Sequence, residues 1–260
     1  MQKNHSFTSM KESMPAWKRK KDPILTKVFY RPLSFWLASI CANNGVRPNT
    51  ISYISTIVGI ISCALFLFPN NFEAQLLGAI LVNVWIVMDC IDGNLARGYM
   101  RQPFGEFADG TSSYILVGYM CTAWGFAAFF DGGLLINAGC PWIVLLGAIA
   151  SSSDALMRLV YQKYKNVETD MITRNIIDPE PDKHTDHSQV GSFRSRIENE
   201  LGLGGLLPCA ILIATIFHAL DIIVIYCFFY YGTSALIGSL IYFKKAIIAT
   251  GKYQNLMPQS

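Results

Sequence analysis

The sequence predicts an all-α integral membrane protein, with six transmembrane helices preceded by an amphipathic helix lying on the membrane surface. Three observations carry that expectation. Of 260 residues, 52% are hydrophobic and only 15% charged, whereas a soluble domain runs nearer a quarter charged. The apolar residues gather in long blocks, each about the length that crosses ~30 Å of hydrocarbon. The lysines and arginines fall into one set of intervening segments and are missing from the other.

Residues 1–21 form a polar segment ending in Lys18, Arg19, Lys20 and Lys21. With no apolar h-region at the N-terminus, no cleaved signal peptide is expected. Over residues 22–45, Asp22 suits an N-cap and Pro23 a first helical position. Ile24, Leu25, Val28 and Phe29 follow at helical spacing; after a break at Pro32 come Leu33, Trp36, Leu37 and Ile40, ending near Gly45. Beside a basic cluster this pattern reads as an interfacial helix, with packing on a soluble partner as the alternative. A domain over residues 46–245 then holds six spans at 50–69, 76–97, 104–130, 135–160, 201–219 and 221–243. The polar stretch 161–200, with Pro179, Pro181, His184 and His187, is expected to be a loop outside lipid, partly helical from Ser192 to Glu200. Its two histidines read as solvated. Residues 246–260 form a tail.

The segments near 70–75, 131–134 and 219–221 contain no Lys or Arg, so all 21 basic residues lie at the other face. The positive-inside rule then places both termini in the cytoplasm. The expected location is a bacterial inner membrane. A net charge of +3 is too small to imply a nucleic-acid partner. The seven scattered cysteines show no paired spacing and read as buried hydrophobes.

The chemistry concentrates where the second span ends and the third begins. The run Val87-Met88-Asp89-Cys90-Ile91-Asp92-Gly93-Asn94-Leu95-Ala96-Arg97 puts two aspartates near the end of an apolar helix, where each carboxylate loses hydration. Spacing i, i+3 sets them on one helix face, and hard divalent ions with oxygen ligands can compensate their repulsion. Glu106 and Asp109 share a face of the third span, so four acidic side chains reach one membrane face. Gly93 and Ala96 remove bulk and allow close approach, and Arg97 can pair with phosphate or an acid. A structural acid–base cluster pinning the helices is the plainer alternative.

The pattern Asp89-x2-Asp92-Gly93-x2-Ala96-Arg97…Gly105-x3-Asp109 resembles the signature of the CDP-alcohol phosphotransferase superfamily, D-x2-D-G-x2-A-R-x8-G-x3-D-x3-D. The Arg47-Pro48-Asn49-Thr50 segment at the first span looks similar to members as well. The resemblance implies a homodimer in which Asp89, Asp92 and Asp109 hold two divalent ions, Mg²⁺ or Mn²⁺, that grip the diphosphate of a CDP-linked donor. An alcohol attacks the phosphorus and CMP leaves, with Gly93, Ala96 and Arg97 against the nucleotide. One of the ligands is expected to be a lipid, because the site opens within the membrane.

Two departures bear on this expectation. Seven residues, 98–104, separate Arg97 from Gly105, and the fourth motif aspartate, the family's base, falls at Ser113. Serine is neither a base at neutral pH nor a good metal ligand. Glu106, on the same helical stripe as 109 and 113, is one replacement; an acceptor phosphate or a metal-bound hydroxide is another. The alternatives to an enzyme are a nucleotide- or lipid-binding relative without turnover, and a transporter with an intramembrane acidic site.

Three smaller signals complete the pattern. Asp154 and Arg158, four apart, read as an intrahelical ion pair, with an anionic acceptor or lipid headgroup as the alternative partner of Arg158. Gly202, Gly204 and Gly205 suggest close contact or a hinge at the fifth span. The aromatic run at 226–231 reads as a belt at the outer face.

Overall fold

The computed structural model describes residues 5–177 and 199–256. His184, His187 and most of the helix expected over Ser192–Glu200 lie outside the described residues. Five helices are long and apolar enough to cross a membrane: α4 (Pro48–Leu65), α5 (Phe72–Gly98), α6 (Gly105–Asp131), α7 (Pro141–Thr173) and α9 (Leu220–Leu256). The protein is thus an all-α, multi-pass membrane protein. Local chemistry sets the helix starts. Pro48 and Pro141 occupy the first turns of α4 and α7, where a missing N–H costs nothing, and the Asn71 side chain accepts from Ala74 N (3.0 Å) to cap α5.

Small residues let the bundle close. A Cβ on Gly125 would stand 2.9 Å from the Ile143 carbonyl, and one on Gly147 would collide with the Cys121 carbonyl. At those points α6 and α7 touch backbone to backbone, as is common where helices pack in lipid. Around Trp124, Phe66, Leu116 and Met120, all fully buried, lies the centre of the packing. At the end away from the acidic motif, buried Asp221 accepts N–H bonds from Leu134, Leu135 and Ile136 (3.2, 2.7 and 3.0 Å) and so fixes the α6–α7 connection.

The N-terminal region comprises α1 (Phe7–Glu12), α2 (Ala16–Lys21), a π-helical turn at Thr26–Tyr30 and α3 (Arg31–Asn43). Pro32 does not break the helix. It sits in the first turn of α3 just after the π turn, where the widened ladder absorbs the missing donor. Asp22 is not an N-cap either: it closes α2 as its C-cap residue, and its carboxylate forks onto the Arg31 guanidinium (2.8 and 3.1 Å). Ile24, Val28, Phe29, Trp36 and Ile40 form an exposed apolar face, while Tyr30, Ser34, Phe35, Ala38 and Ala42 are buried. Two bonds fasten the π turn and α3 along α5: Tyr30 Oη to Asn83 Oδ1 (2.5 Å) and Asn94 Nδ2 to Ser34 Oγ (2.9 Å).

The fifth expected span differs most. Its apolar helix α8 (Leu207–Ile216) has 10 residues, about 15 Å of rise against ~30 Å of hydrocarbon. Glycines and a proline explain the shortfall. The chain turns at Gly202–Leu206, where a Cβ on Gly205 would collide with the Glu200 carbonyl, and Pro208 sits in the first turn of α8. The stretch expected as a loop from 161 begins as helix, since α7 continues to Thr173. There Lys165–Glu168 and Arg174–Asp170 ion pairs (2.5 and 3.0 Å) support polar helix. The expected tail from 246 is likewise helical to Leu256. Tyr231 is buried, and Tyr226 and Tyr230 stack at 5.6 Å. The aromatic run starts about 9 Å along α9 and packs partly inside the bundle instead of forming a simple belt.

Candidate functional site

The motif end of the bundle holds a cleft of about 900 Å³ between the starts of α4 and α6 and the end of α5. Its lining includes Asp92, Gly93, Ala96, Arg97, Glu106 and Asp109. The turn from α5 to α6 is tight, with Tyr99 and Met100 both donating to the Leu95 carbonyl (2.9 and 3.0 Å). Phe104, just before α6, has a left-handed φ of +58°, a strain of order 1–2 kcal/mol for a residue with a Cβ. The start of α4 holds this turn: Asn49 N donates to Gln102 Oε1 (3.1 Å) and Asn49 Nδ2 to the Pro103 carbonyl (3.0 Å).

Asp92 and Asp109 line the cleft, and Asp89 lies outside its lining. Asp92 is buried and its Oδ2 accepts from Ser52 Oγ of α4 at 2.6 Å. Asp89 and Asp109 lie within hydrogen-bonding reach of each other, a contact two ionised carboxylates keep only with a cation or a shared proton between them. None of the three forms an ion pair among the described residues. No three acidic, histidine or cysteine side chains of the described residues are drawn together tightly enough to enclose an ion. In kind, however, the donor set fits a hard divalent cation: dense negative charge, oxygen ligands only.

Arg97 folds back over Gly93, where an added Cβ would stand 3.1 Å from Nη1 and 3.3 Å from Nη2. Its Nη2 donates to Asn94 Oδ1 (2.8 Å), and its Nε is buried without a partner, as is Asn49 Oδ1. Buried polar atoms normally find partners, and these two belong to residues that line the same cleft.

The remaining expected residues are spread out. Glu106 lies at the rim, 94% exposed and 3.3 Å from the equally exposed Arg101, a pair worth little in water. Ser113 lies two helical turns deeper and does not line the cleft; its Oγ accepts from Arg158 Nη1 at 3.2 Å. Arg158 does form the expected pair with Asp154 (2.5 Å) and lies over the Tyr114 ring at 5.3 Å, outside the cleft lining. Reading the motif alone missed Ser52, Asn49 and Asn94. Asn94 sits inside the motif, and Asn49 belongs to the 47–50 segment singled out earlier; Ser52 carries no local signal.

The class so defined is an all-α, multi-pass membrane protein with an acid-rich cleft at one end of two consecutive spans. Residues 46–190, more than half of the chain, match the CDP-alcohol phosphatidyltransferase family, and the chain belongs to that family. It is similar to the phosphatidylinositol phosphate synthase of Streptomyces avermitilis, 29% identical over 115 residues, which are 44% of this chain and 45% of that protein. It is also similar to the phosphatidylinositol phosphate synthase of Cutibacterium acnes, 35% identical over 109 residues, 42% of this chain and 47% of that protein. The chain thus spans about half the length of these curated relatives.

Proposed function

We propose that the protein transfers a phosphate-linked group from a CDP-linked donor to an alcohol and releases CMP. The observation that carries this reading is the cleft itself, which Asp92, Asp109, Glu106, Arg97 and Asn49 line together. Arg97 Nε–H would donate to a phosphate oxygen. Asn49 Oδ1 would accept an N–H of the base, such as the cytosine amino group. Gly93, Ala96 and Gly105 keep the floor bare for close approach. Ser52 holds the Asp92 carboxylate in one orientation. Asp89, Asp92 and Asp109 would bind two divalent ions, Mg²⁺ or Mn²⁺, which supply Lewis-acid polarisation of phosphoryl oxygens and charge neutralisation for departing CMP. The alcohol oxygen forms a bond to the β-phosphorus, the bond from that phosphorus to the CMP oxygen breaks, and the alcohol proton passes to a base. Glu106 lines the same cleft and is our candidate for that base; Ser113 cannot take the proton.

The relatives' shared name favours a phospholipid with a phosphorylated headgroup as product, and hence a lipid among the substrates. Arg158, beside Ser113, is the cation we assign to an anionic acceptor. The organisation we favour keeps a basic segment 1–21, an amphipathic segment 22–45 and a six-span domain 46–245. Both termini face the cytoplasm in a bacterial inner membrane, and two copies form a homodimer. Support for a sixth crossing comes from α8 and the segments that extend it: Thr26 Oγ1 donates to the Gly204 carbonyl (2.6 Å), Ile24 N to Glu200 Oε1 (2.8 Å), and Asn83 Nδ2 to the Pro208 carbonyl (3.0 Å). A second reading, a nucleotide binder without turnover, is favoured by the position of Ser113 against Arg158. CMP release from a radiolabelled CDP-linked donor, assayed in membranes with a panel of alcohols, decides between them. Release supports the transferase, and binding without release supports the binder.

A further inference from the structure

Phe104 occupies a costly position with little structural reward. Its φ of +58° and ψ of +17° are left-handed, a conformation that glycine adopts without strain. The ring gains almost nothing by burial, since the residue is 79% exposed. The backbone on either side is nevertheless fixed. Asn49 Nδ2 donates to the Pro103 carbonyl and Ala108 N to the Phe104 carbonyl, both at 3.0 Å. A turn of this shape needs no ring, so the ring calls for a partner outside the chain.

The surroundings say what kind of partner. Phe104 lines the cleft, as does Phe107, three residues further along α6 and 63% exposed. Among the described residues these are the only large apolar side chains of the lining; the rest are charged, polar, glycine, alanine or proline. An acyl chain would find no aliphatic wall there to lie on. A flat heterocycle suits the place, because its faces stack on an aromatic ring while its edge forms hydrogen bonds. An edge partner stands beside Phe104. Asn49 Oδ1 is buried without a partner and lies 3.5 Å from where a Cβ on Gly105 would be, while the nitrogen of the same amide holds the Pro103 carbonyl. The residues before and after Phe104 thus both meet the Asn49 amide.

Resting on the donor reading above, we infer that Phe104 is the platform on which the base of the nucleotide stacks, with the edge of the base toward Asn49. The phosphates then extend to Arg97 and the carboxylates on the same lining. Stacking of this kind is indifferent to which base is stacked, so Phe104 supplies affinity and Asn49 the choice of base. A contact to the base predicts one loss for every nucleotide that carries it, whatever the number of phosphates.

Calorimetric titration of the full-length protein in detergent with Mg²⁺, using CMP and CDP as probes, tests the inference. Phe104→Leu, which keeps an apolar side chain without a flat ring, should weaken both nucleotides by the same factor, about 5- to 150-fold for one base–aromatic stack. Phe104→Trp should bind at least as tightly as wild type. If Phe104→Leu fails to fold, Phe104→Gly gives the same comparison with the backbone strain removed. CMP binding unchanged in Phe104→Leu, a loss confined to CDP, or Phe104→Trp as weak as Phe104→Leu would each overturn the inference and leave the donor reading standing. Normal binding in detergent with CMP release lost only in bilayers would make the ring a membrane anchor and overturn it too. Wild type binding neither nucleotide removes the donor reading, and this inference with it.

Discussion

A methyl group added at Gly93 would stand 3.1 and 3.3 Å from the two terminal nitrogens of Arg97, closer than such contacts normally settle. Arg97 must then shift by a few tenths of an ångström while its Nη2 is tied to Asn94 Oδ1 at 2.8 Å. Either that bond stretches or the guanidinium moves from its place in the cleft wall. A hydrogen bond to a charged group contributes about 1.5–3 kcal/mol, so losing half to all of one costs about 1–3 kcal/mol, or roughly 5- to 150-fold in kcat/KM. The same substitution helps the helix. Gly93 lies inside α5, where alanine is preferred over glycine by about 1 kcal/mol. Gly93→Ala should therefore melt at the wild-type temperature or slightly higher while releasing CMP at least 5-fold more slowly at subsaturating donor. Activity read as CMP release and stability read by thermal denaturation in the same detergent separate the two effects. A Gly93→Ala protein with undiminished kcat/KM would refute the idea that the glycine makes room for the guanidinium.

Asp89→Asn, Asp92→Asn and Asp109→Asn should each abolish CMP release in a folded protein, and excess EDTA should do the same reversibly; two of the three retaining near-normal rates would remove the metal assignment. Cysteine probes near Asn71 and Gly132 should be labelled from outside intact cells and probes near Arg101 should not, with the reverse pattern inverting the proposed orientation. Glu106→Gln should lower turnover by on the order of 10²–10⁴-fold, the usual scale of general-base catalysis, with CDP binding little changed; a silent substitution sends the proton to an acceptor phosphate or elsewhere.

Long apolar blocks and basic-residue asymmetry were enough to read α4–α7 and α9, because those helices bury or expose whole faces over many turns. The sequence spacing likewise announced that Asp92 and Asp109 would line one cleft, since a short turn joins α5 to α6. Ser52 was not legible, because it meets Asp92 across 40 positions of chain and a serine in an apolar helix carries no signal of its own. Pro32 misled for the opposite reason: the π turn before it is a tertiary accommodation, fixed by Tyr30 reaching Asn83. The shortness of α8 was written in Gly202, Gly204, Gly205 and Pro208, but hydropathy alone runs straight through them.

The missing aspartate at position 113 is best understood together with Asp154. Arg158 Nη1 touches Ser113 Oγ, and its Nε is held by Asp154, so a carboxylate at 113 would face a guanidinium that already has one. In this chain the negative partner of Arg158 stands on α7 and not on α6. Moving it back tests whether its position matters. Asp154→Asn alone leaves Arg158 without a carboxylate, and because the pair is partly exposed the stability cost should stay near ~1 kcal/mol. If Arg158 orients an anionic acceptor, that variant should raise the KM for the acceptor more than it lowers kcat. The double variant Ser113→Asp/Asp154→Asn keeps the net charge and gives Arg158 a carboxylate from α6, so the acceptor KM should return toward wild type. A gain in kcat above wild type, approaching 10²-fold, would mean that position 113 still presents a base to the substrate whenever it carries a carboxylate. If the single and double variants are equally impaired in KM, the exchange of partners is not what the chain has made, and Arg158 has no part in holding the acceptor.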